Sequence, residues 1–342
     1  MQIRRLVLGA LTAAALVSPL GAADAADVTL RVHHFLPPVA NTQKNVLEPW
    51  KKQVEKASGG RIAIEIFPAM QLGGKPPQLI DQARDGVVDI VWTLPSYTPG
   101  RYPTSAVFEL PFMVSTAAAT TMAVQEFYEK HMREEFADVH PLMFHVHARG
   151  VIHTKKPVAT IADLSGLKVR APSRSIGQAL EAMGATPVFM PVPALPEALS
   201  KGVVDGAVIP WEITIPLKIS ELVDNHAVTP GARGLYTSVF VLAMNKAKYQ
   251  GMPADLRKVL DEHTGMRMAE WVGKVWDEIE APGRAKAAES GTIVELSTAE
   301  VEKMRELTAR VRGDWIAEMD KAGKDGTALL KDANAMLDKH TR

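Results

Sequence analysis

The chain has no cysteine in its 342 residues. That absence excludes a disulfide framework, a thiol nucleophile and a lipobox cysteine. An excess of either charge is also missing: 39 Lys and Arg stand against 39 Asp and Glu, so nothing points to a nucleic acid or an acidic membrane as partner. The short motifs of the common enzyme classes are absent as well. No G-x-S-x-G elbow, Walker A loop, G-x-G-x-x-G turn or H-E-x-x-H pair occurs. What is present is an ordinary globular composition, 46% hydrophobic and 23% charged, in a length that suits two lobes with separate cores.

The first 26 residues differ from the rest. Arg4 and Arg5 precede an apolar run from Leu6 to Leu20, followed by the small-residue stretch GAADAA at 21–26. This is the pattern of a secretory signal, with cleavage expected near residues 23–26 and a periplasmic mature chain. The run is short for a membrane span.

The mature chain echoes itself. RDGVVDIVWT (84–93) and SKGVVDGAVI (200–209) each carry a helix-like stretch stopped by glycine, then Val-Val-Asp and an apolar strand. Around the first copy lie strand VTLRVHHF (28–35), a helix containing Val46, Leu47, Trp50, Val54 and Ala57, strand IAIEIF (62–67) and a helix at 77–85. Around the second lie LKVRA (167–171), a helix near 175–183, TPVFM (186–190) and a helix at 194–201. Both copies read strand–helix–strand–helix–strand, which predicts an α/β protein of two lobes with mixed, largely parallel sheets and a ligand cleft between them. Lobe I is expected to take residues 27–148 plus about 237–270, and lobe II 149–236 plus about 280–342. The stretch 255–281 reads as one long helix spanning both, and Ser297 with Glu300 has capping-box spacing.

Ligands gather at the carboxyl ends of parallel strands. The first lobe would there present Phe35, Trp92 and Tyr97, and the second Arg170, Met190, Ile209 and Trp211. Arg170 ends a short strand stopped by Pro172, and its permanent charge needs an anion or water. A salt bridge to Asp163 or Glu212 would answer it from within the protein, whereas a bound carboxylate would answer it from outside. His145, His147 and Arg149 lie on one side of the strand LMFHVHARG (142–150). Together with His153 the histidines raise an alternative, a periplasmic metal-dependent hydrolase. Trp271 and Trp276 suit packing on the long helix.

Several segments resemble a known family in the expected order: GGRIAIEIFPAMQLGG, VFELPFM, KPVATIADLSGLKVRAPS, ALPEALSKGVVDGAV and VLAMNKAKY. They resemble the solute-binding proteins of tripartite ATP-independent periplasmic (TRAP) transporters, of the dicarboxylate-binding-protein type. The resemblance implies a two-lobed periplasmic-binding-protein fold with a long bracing helix. It implies a receptor rather than an enzyme, without cofactor, working as a monomer with the small and large membrane subunits of a TRAP permease. It gives Arg170 the role of binding the ligand carboxylate. The family's second arginine, in its sialic-acid-binding members, falls on Gly150 here, with Arg149 beside it. Their polar Glu-Asn pair after VDG is replaced by Val208-Ile209, followed by Pro210-Trp211-Glu212. An apolar wall would leave a polyhydroxylated ligand's groups unpaired, so a small monocarboxylate with an apolar or aromatic tail is expected. Ile209, Trp211, Met190, His147, Arg149, Phe35, Trp92 and Tyr97 are expected around it. Glu212 is the one position where a co-bound cation could be held. A sensor module for a receptor kinase would share the same pocket.

Overall fold

Strands form where the sequence offers short runs of branched and aromatic residues that can be buried on both faces, as interior strands require. IVWT, GAVI and VFVLAM are buried along their whole length. The computed structural model describes residues 26–341. Its strands in chain order are β1 (Val28–His34), β2 (Ile62–Phe67), β3 (Ile90–Thr93), β4 (His140–Val146), β5 (Val151–Thr154), β6 (Lys168–Ala171), β7 (Thr186–Phe189), β8 (Gly206–Ile209), β9 (Asn225–Val228), β10 (Val239–Met244) and β11 (Thr292–Glu295). One sheet runs β2-β1-β3-β10-β4 and the other β11-β9-β5-β8-β6-β7. This is the expected two-lobed α/β fold.

The internal echo is structural. β1 pairs in parallel with β2 and β3, and β6 pairs in parallel with β7 and β8. Each parallel trio is then extended by an antiparallel strand, β10 beside β3 and β5 beside β8. The shared Val-Val-Asp has a physical reason. Asp89 accepts a hydrogen bond from the Arg31 amide at 2.8 Å, and Asp205 accepts one from the Lys168 amide at 2.9 Å. In both copies the aspartate ties the entry of the third strand to the first. The glycine before it, Gly86 or Gly202, has φ near +70° (+73° and +69°) and ends its helix in the left-handed conformation.

The helix expected over 255–281 is instead three: Ala254–Glu262, Gly265–Glu278 and Glu280–Ser290. The break falls at Thr264-Gly265, where Gly265 takes φ +59° and the indole of Trp50 holds the freed carbonyl of His263 at 3.1 Å. The long brace is the 24-residue helix Thr298–Lys321. Near its start the Glu300 carboxylate accepts from the Ile161 amide of the second lobe, at 2.6 Å. Near its end the Trp315 indole donates to the Pro103 carbonyl of the first, at 2.9 Å. Ser297 caps this helix through the Glu300 amide, but Glu300 turns to Ile161 rather than closing the capping box. The last helix, Gly326–Thr341, packs on Ala117–Phe127 of the first lobe, and its Asp338 pairs with Arg233. Glu126 meets Lys339 and His340 at 2.9 and 2.7 Å.

The chain passes between lobes from β4 to β5 and from β9 to β10. These crossings pair with each other: the Gly150 amide donates to the Tyr236 carbonyl at 2.9 Å, and the Thr237 hydroxyl to the His147 carbonyl at 2.7 Å. Apart from residue 26, the expected signal segment lies outside the described residues. No described helix is long and apolar enough to cross a membrane.

Candidate functional site

The strand ends and one crossing converge on a small, largely apolar cavity. Past β1 stand Phe35 and Leu36. β3 brings Trp92, and beyond it come Leu94 and Tyr97. The second lobe contributes Arg170 from β6, Val192, and Ile209 from β8. The crossing strand adds Tyr236, Ser238 and Phe240, every second residue, all on the cavity side. Phe35 stacks on Trp92, with ring centres 5.0 Å apart, and Trp92 stacks on Phe240 at 4.7 Å. One wall is therefore a continuous aromatic surface.

Arg170 is the cation in this wall, and it is 2% exposed. Its Nε donates to the Met190 carbonyl at 2.9 Å and one Nη to the Val208 carbonyl at 3.4 Å. Among the described residues no carboxylate lies within salt-bridge distance, 4.0 Å, of it. Neither internal partner weighed from the sequence reaches it. Asp163 accepts from the Thr160 and Ala159 amides, and Glu212 accepts from Asn41. Two carbonyls orient the guanidinium without neutralising it, and a buried, uncompensated cation is costly to maintain. The Tyr97 phenol beside it accepts from the Val192 amide at 3.0 Å. Burial raises the Tyr97 pKa and Arg170 opposes that rise, so the phenol keeps its proton and can donate it.

His147 lines the same cavity with both ring nitrogens engaged. The Ser238 amide donates to its Nε2 at 3.1 Å, so Nδ1 carries the hydrogen and donates to the Ala148 carbonyl. Burial lowers its pKa to about 4. It is a neutral residue at the paired crossings. Glu109 lies behind the crossing strand, accepting from the Val239 amide at 3.0 Å, and burial pushes its pKa up to about 7.

Three expected contacts lie elsewhere. Arg149 points away: its three nitrogens donate to the carbonyls of Ser115, Gly231 and Ala232 at 2.6, 2.6 and 2.9 Å, so it clamps the back of the crossing. Trp211 is packed under β5 against His153 and His226, because the chain turns after Pro210 and sends the indole to the outer face of the sheet. Met190 contributes its carbonyl to Arg170 rather than its side chain to the cavity. The three histidines do not converge either. His145 stacks on Phe240 and Trp276, at 4.8 and 5.2 Å, and accepts from the Trp92 indole at 2.8 Å. His153 pairs with His226 at 2.8 Å in the other lobe. A shared metal centre on His145, His147 and His153 is thereby overturned.

Gly150 explains part of the shape. A Cβ there would come within 1.8 Å of the Tyr236 ring, so the ring occupies the space any side chain at 150 would need. Tyr236, Ser238 and Phe240 went unrecognised in the sequence, although the alternation in YTSVF was legible.

Two α/β lobes around an oriented, unneutralised cation have the form of a solute receptor. The chain belongs to the bacterial extracellular solute-binding proteins, family 7 (DctP), whose model matches residues 32–318. It is 46% identical to a marine metagenome TRAP solute-binding protein specific for aromatic acid ligands, solved with metahydroxyphenylacetate. That comparison covers 92% of this chain and all of the other, with a TM-score of 0.91. A TRAP solute-binding protein from Rhodoferax ferrireducens T118, solved with copurified benzoate, is also 46% identical, covering 92% and 98% with a TM-score of 0.90. The C4-dicarboxylate-binding periplasmic protein DctP of Rhodobacter capsulatus is 26% identical over 318 residues, 92% of this chain and 91% of that one. TRAP solute-binding proteins bind small organic acids and work with TRAP permeases.

Proposed function

We propose that this chain captures a small aromatic monocarboxylate of benzoate size in the periplasm and hands it to a TRAP permease. The observation that carries the reading is Arg170: a buried guanidinium held by two carbonyls, with no carboxylate of its own, set in an aromatic wall. A carboxylate seated there gains charge-assisted hydrogen bonds in a water-poor site, with the Tyr97 phenol as a further donor. Phe35 and Trp92 on one side and Ile209 on the other suit a flat ring. The Tyr236 ring against Gly150 supports one carboxylate rather than two, since it fills the space of a second arginine. The related proteins solved with benzoate and metahydroxyphenylacetate fit the same chemistry.

The signal segment 1–26 is removed on export, the receptor acts as a monomer, and the small and large permease subunits recognise its closed form. Closure brings the Tyr97–Val192 and Asn41–Glu212 contacts together across the cleft, and the paired crossings form the hinge. Thermal-shift screening against a panel of aromatic and aliphatic acids tests the ligand class, because a ligand bound only by the folded chain raises Tm. Stabilisation by benzoates and phenylacetates, and not by succinate or acetate, is expected. Selective stabilisation by dicarboxylates would overturn the reading.

A further inference from the structure

The cavity wall holds one carboxyl group that the reading above leaves unused. Glu212 is 5% exposed and lines the cavity with Arg170. Its Oε2 accepts from the Asn41 side chain at 3.1 Å, and Asn41 also donates to the Glu212 carbonyl at 3.0 Å. Asn41 is itself steadied by Asn45, which donates to its Oδ1 at 3.0 Å. The backbone at Glu212 is held from behind: its amide and that of Trp211 donate to Glu280 at 3.0 and 3.1 Å. Oε1 takes no hydrogen bond from any described residue, and it is not among the sealed, unpartnered polar atoms. With Glu212 in the cavity lining, that oxygen is free to meet a ligand group.

Burial raises the Glu212 pKa to about 8, opposed by Asn41 and helped by nearby Glu280. The group therefore stands largely as a neutral acid at neutral pH, offering both an O–H donor and a carbonyl acceptor. No cationic side chain hydrogen-bonds to it among the described residues, so a second ligand carboxylate would find no countercharge there. A hydroxyl, which also gives one proton and takes another, matches it. Closure of the lobes completes the arrangement, because Asn41 comes from the first lobe and Glu212 from the second.

Resting on the aromatic-monocarboxylate reading, we infer that Glu212, positioned by Asn41, is a specificity-determining residue that recognises a ring hydroxyl of the ligand. The preferred substrates are thus hydroxylated aromatic acids, held by Arg170 at the carboxylate and by Glu212 at the hydroxyl. An acceptor left unpaired by an unsubstituted ring is the source of the discrimination.

Calorimetric titration with benzoate, 3-hydroxybenzoate and 4-hydroxybenzoate tests this through the ratio of affinities. In the wild-type chain one hydroxy isomer is expected to bind about tenfold tighter than benzoate. In Glu212→Leu that ratio should fall to about one, while Glu212→Gln, which keeps a donor, an acceptor and the partner Asn41, should retain most of it. A role as interlobe latch alone would weaken all three acids equally and leave the ratio unchanged in Glu212→Leu, which would overturn the inference. So would a wild-type chain that binds benzoate as tightly as both hydroxy isomers. If none of the three acids bound the wild type, the underlying reading would fall and the inference with it.

Discussion

Replacing Arg170 with methionine separates binding from folding. The guanidinium donates to two carbonyls, at 2.9 and 3.4 Å, beside the Tyr97 phenol. Losing them costs about 1 kcal/mol each. Removing a buried cation that no carboxylate offsets recovers a comparable or larger desolvation cost. The two effects oppose, so Tm without ligand is expected to move by no more than about 4 °C. Ligand binding has no such compensation. Hydrogen bonds to a charged group contribute about 1.5–3 kcal/mol each, and a carboxylate can take two. A loss of about 3–6 kcal/mol follows, roughly 150- to 25,000-fold in Kd. Titration calorimetry with benzoate on both proteins reads the loss, and differential scanning calorimetry without ligand reads the stability. Arg170→Lys, which keeps the charge but not the planar fork, should fall between the two. Unchanged affinity in Arg170→Met would refute the reasoning. A collapse of Tm without ligand would instead give the arginine a structural role.

Gly150→Ala should be destabilised by about 2 kcal/mol or more and should weaken binding, because its Cβ falls 1.8 Å from the Tyr236 ring; a chain melting like wild type would show that the ring has room to move. Trp92 stands in the aromatic wall and Trp211 outside it, so the fluorescence change on benzoate binding should survive in Trp211→Phe and vanish in Trp92→Phe. Ligand addition should lower the radius of gyration in solution scattering, and tight binding with unchanged scattering would sink the hinge. Stability should depend on pH from both sides. Burial raises Glu109 and Glu212 from 4.5 to about 7 and 8, so their contribution is complete below 4.5 and is lost as pH climbs through 7–8. The buried His145, His147 and His153 are lowered from 6.5 to about 3, 4 and 3, so theirs is complete above 6.5 and is lost as pH falls through 3–4. Tm should therefore rise until about pH 6.5 and fall above it, with Glu212→Gln flattening the alkaline fall; a Tm still rising from pH 7 to 9 would contradict this.

Much of the fold was legible because its signals are local. Val-Val-Asp after a helix-ending glycine marks the same joint twice, and the aspartate's bond to the neighbouring strand is the reason it recurs. The helix over 255–281 was misread because its apolar periodicity continues through Thr264-Gly265, while the break depends on Trp50, over 200 residues earlier in the chain. The site was legible where a side chain projects from a strand end, as with Arg170, Trp92 and Ile209. It was not legible where the chain turns. Trp211 follows Pro210 and swings behind the sheet, and Arg149 finds its carbonyls only once both crossings are built. Tyr236, Ser238 and Phe240 carried a period-two signal, but their facing is set by the second crossing. Asn41 had no signal at all, since its partner Glu212 belongs to the other lobe.

A crystal structure of the complex with benzoate would show whether an aromatic acid sits between the lobes with its carboxylate on Arg170. Carboxylate oxygens are expected about 2.7–2.9 Å from the guanidinium nitrogens, with the ring between the Phe35–Trp92 wall and Ile209. Benzoate bound with its carboxylate turned away from Arg170, or seated outside this cavity, would contradict that placement.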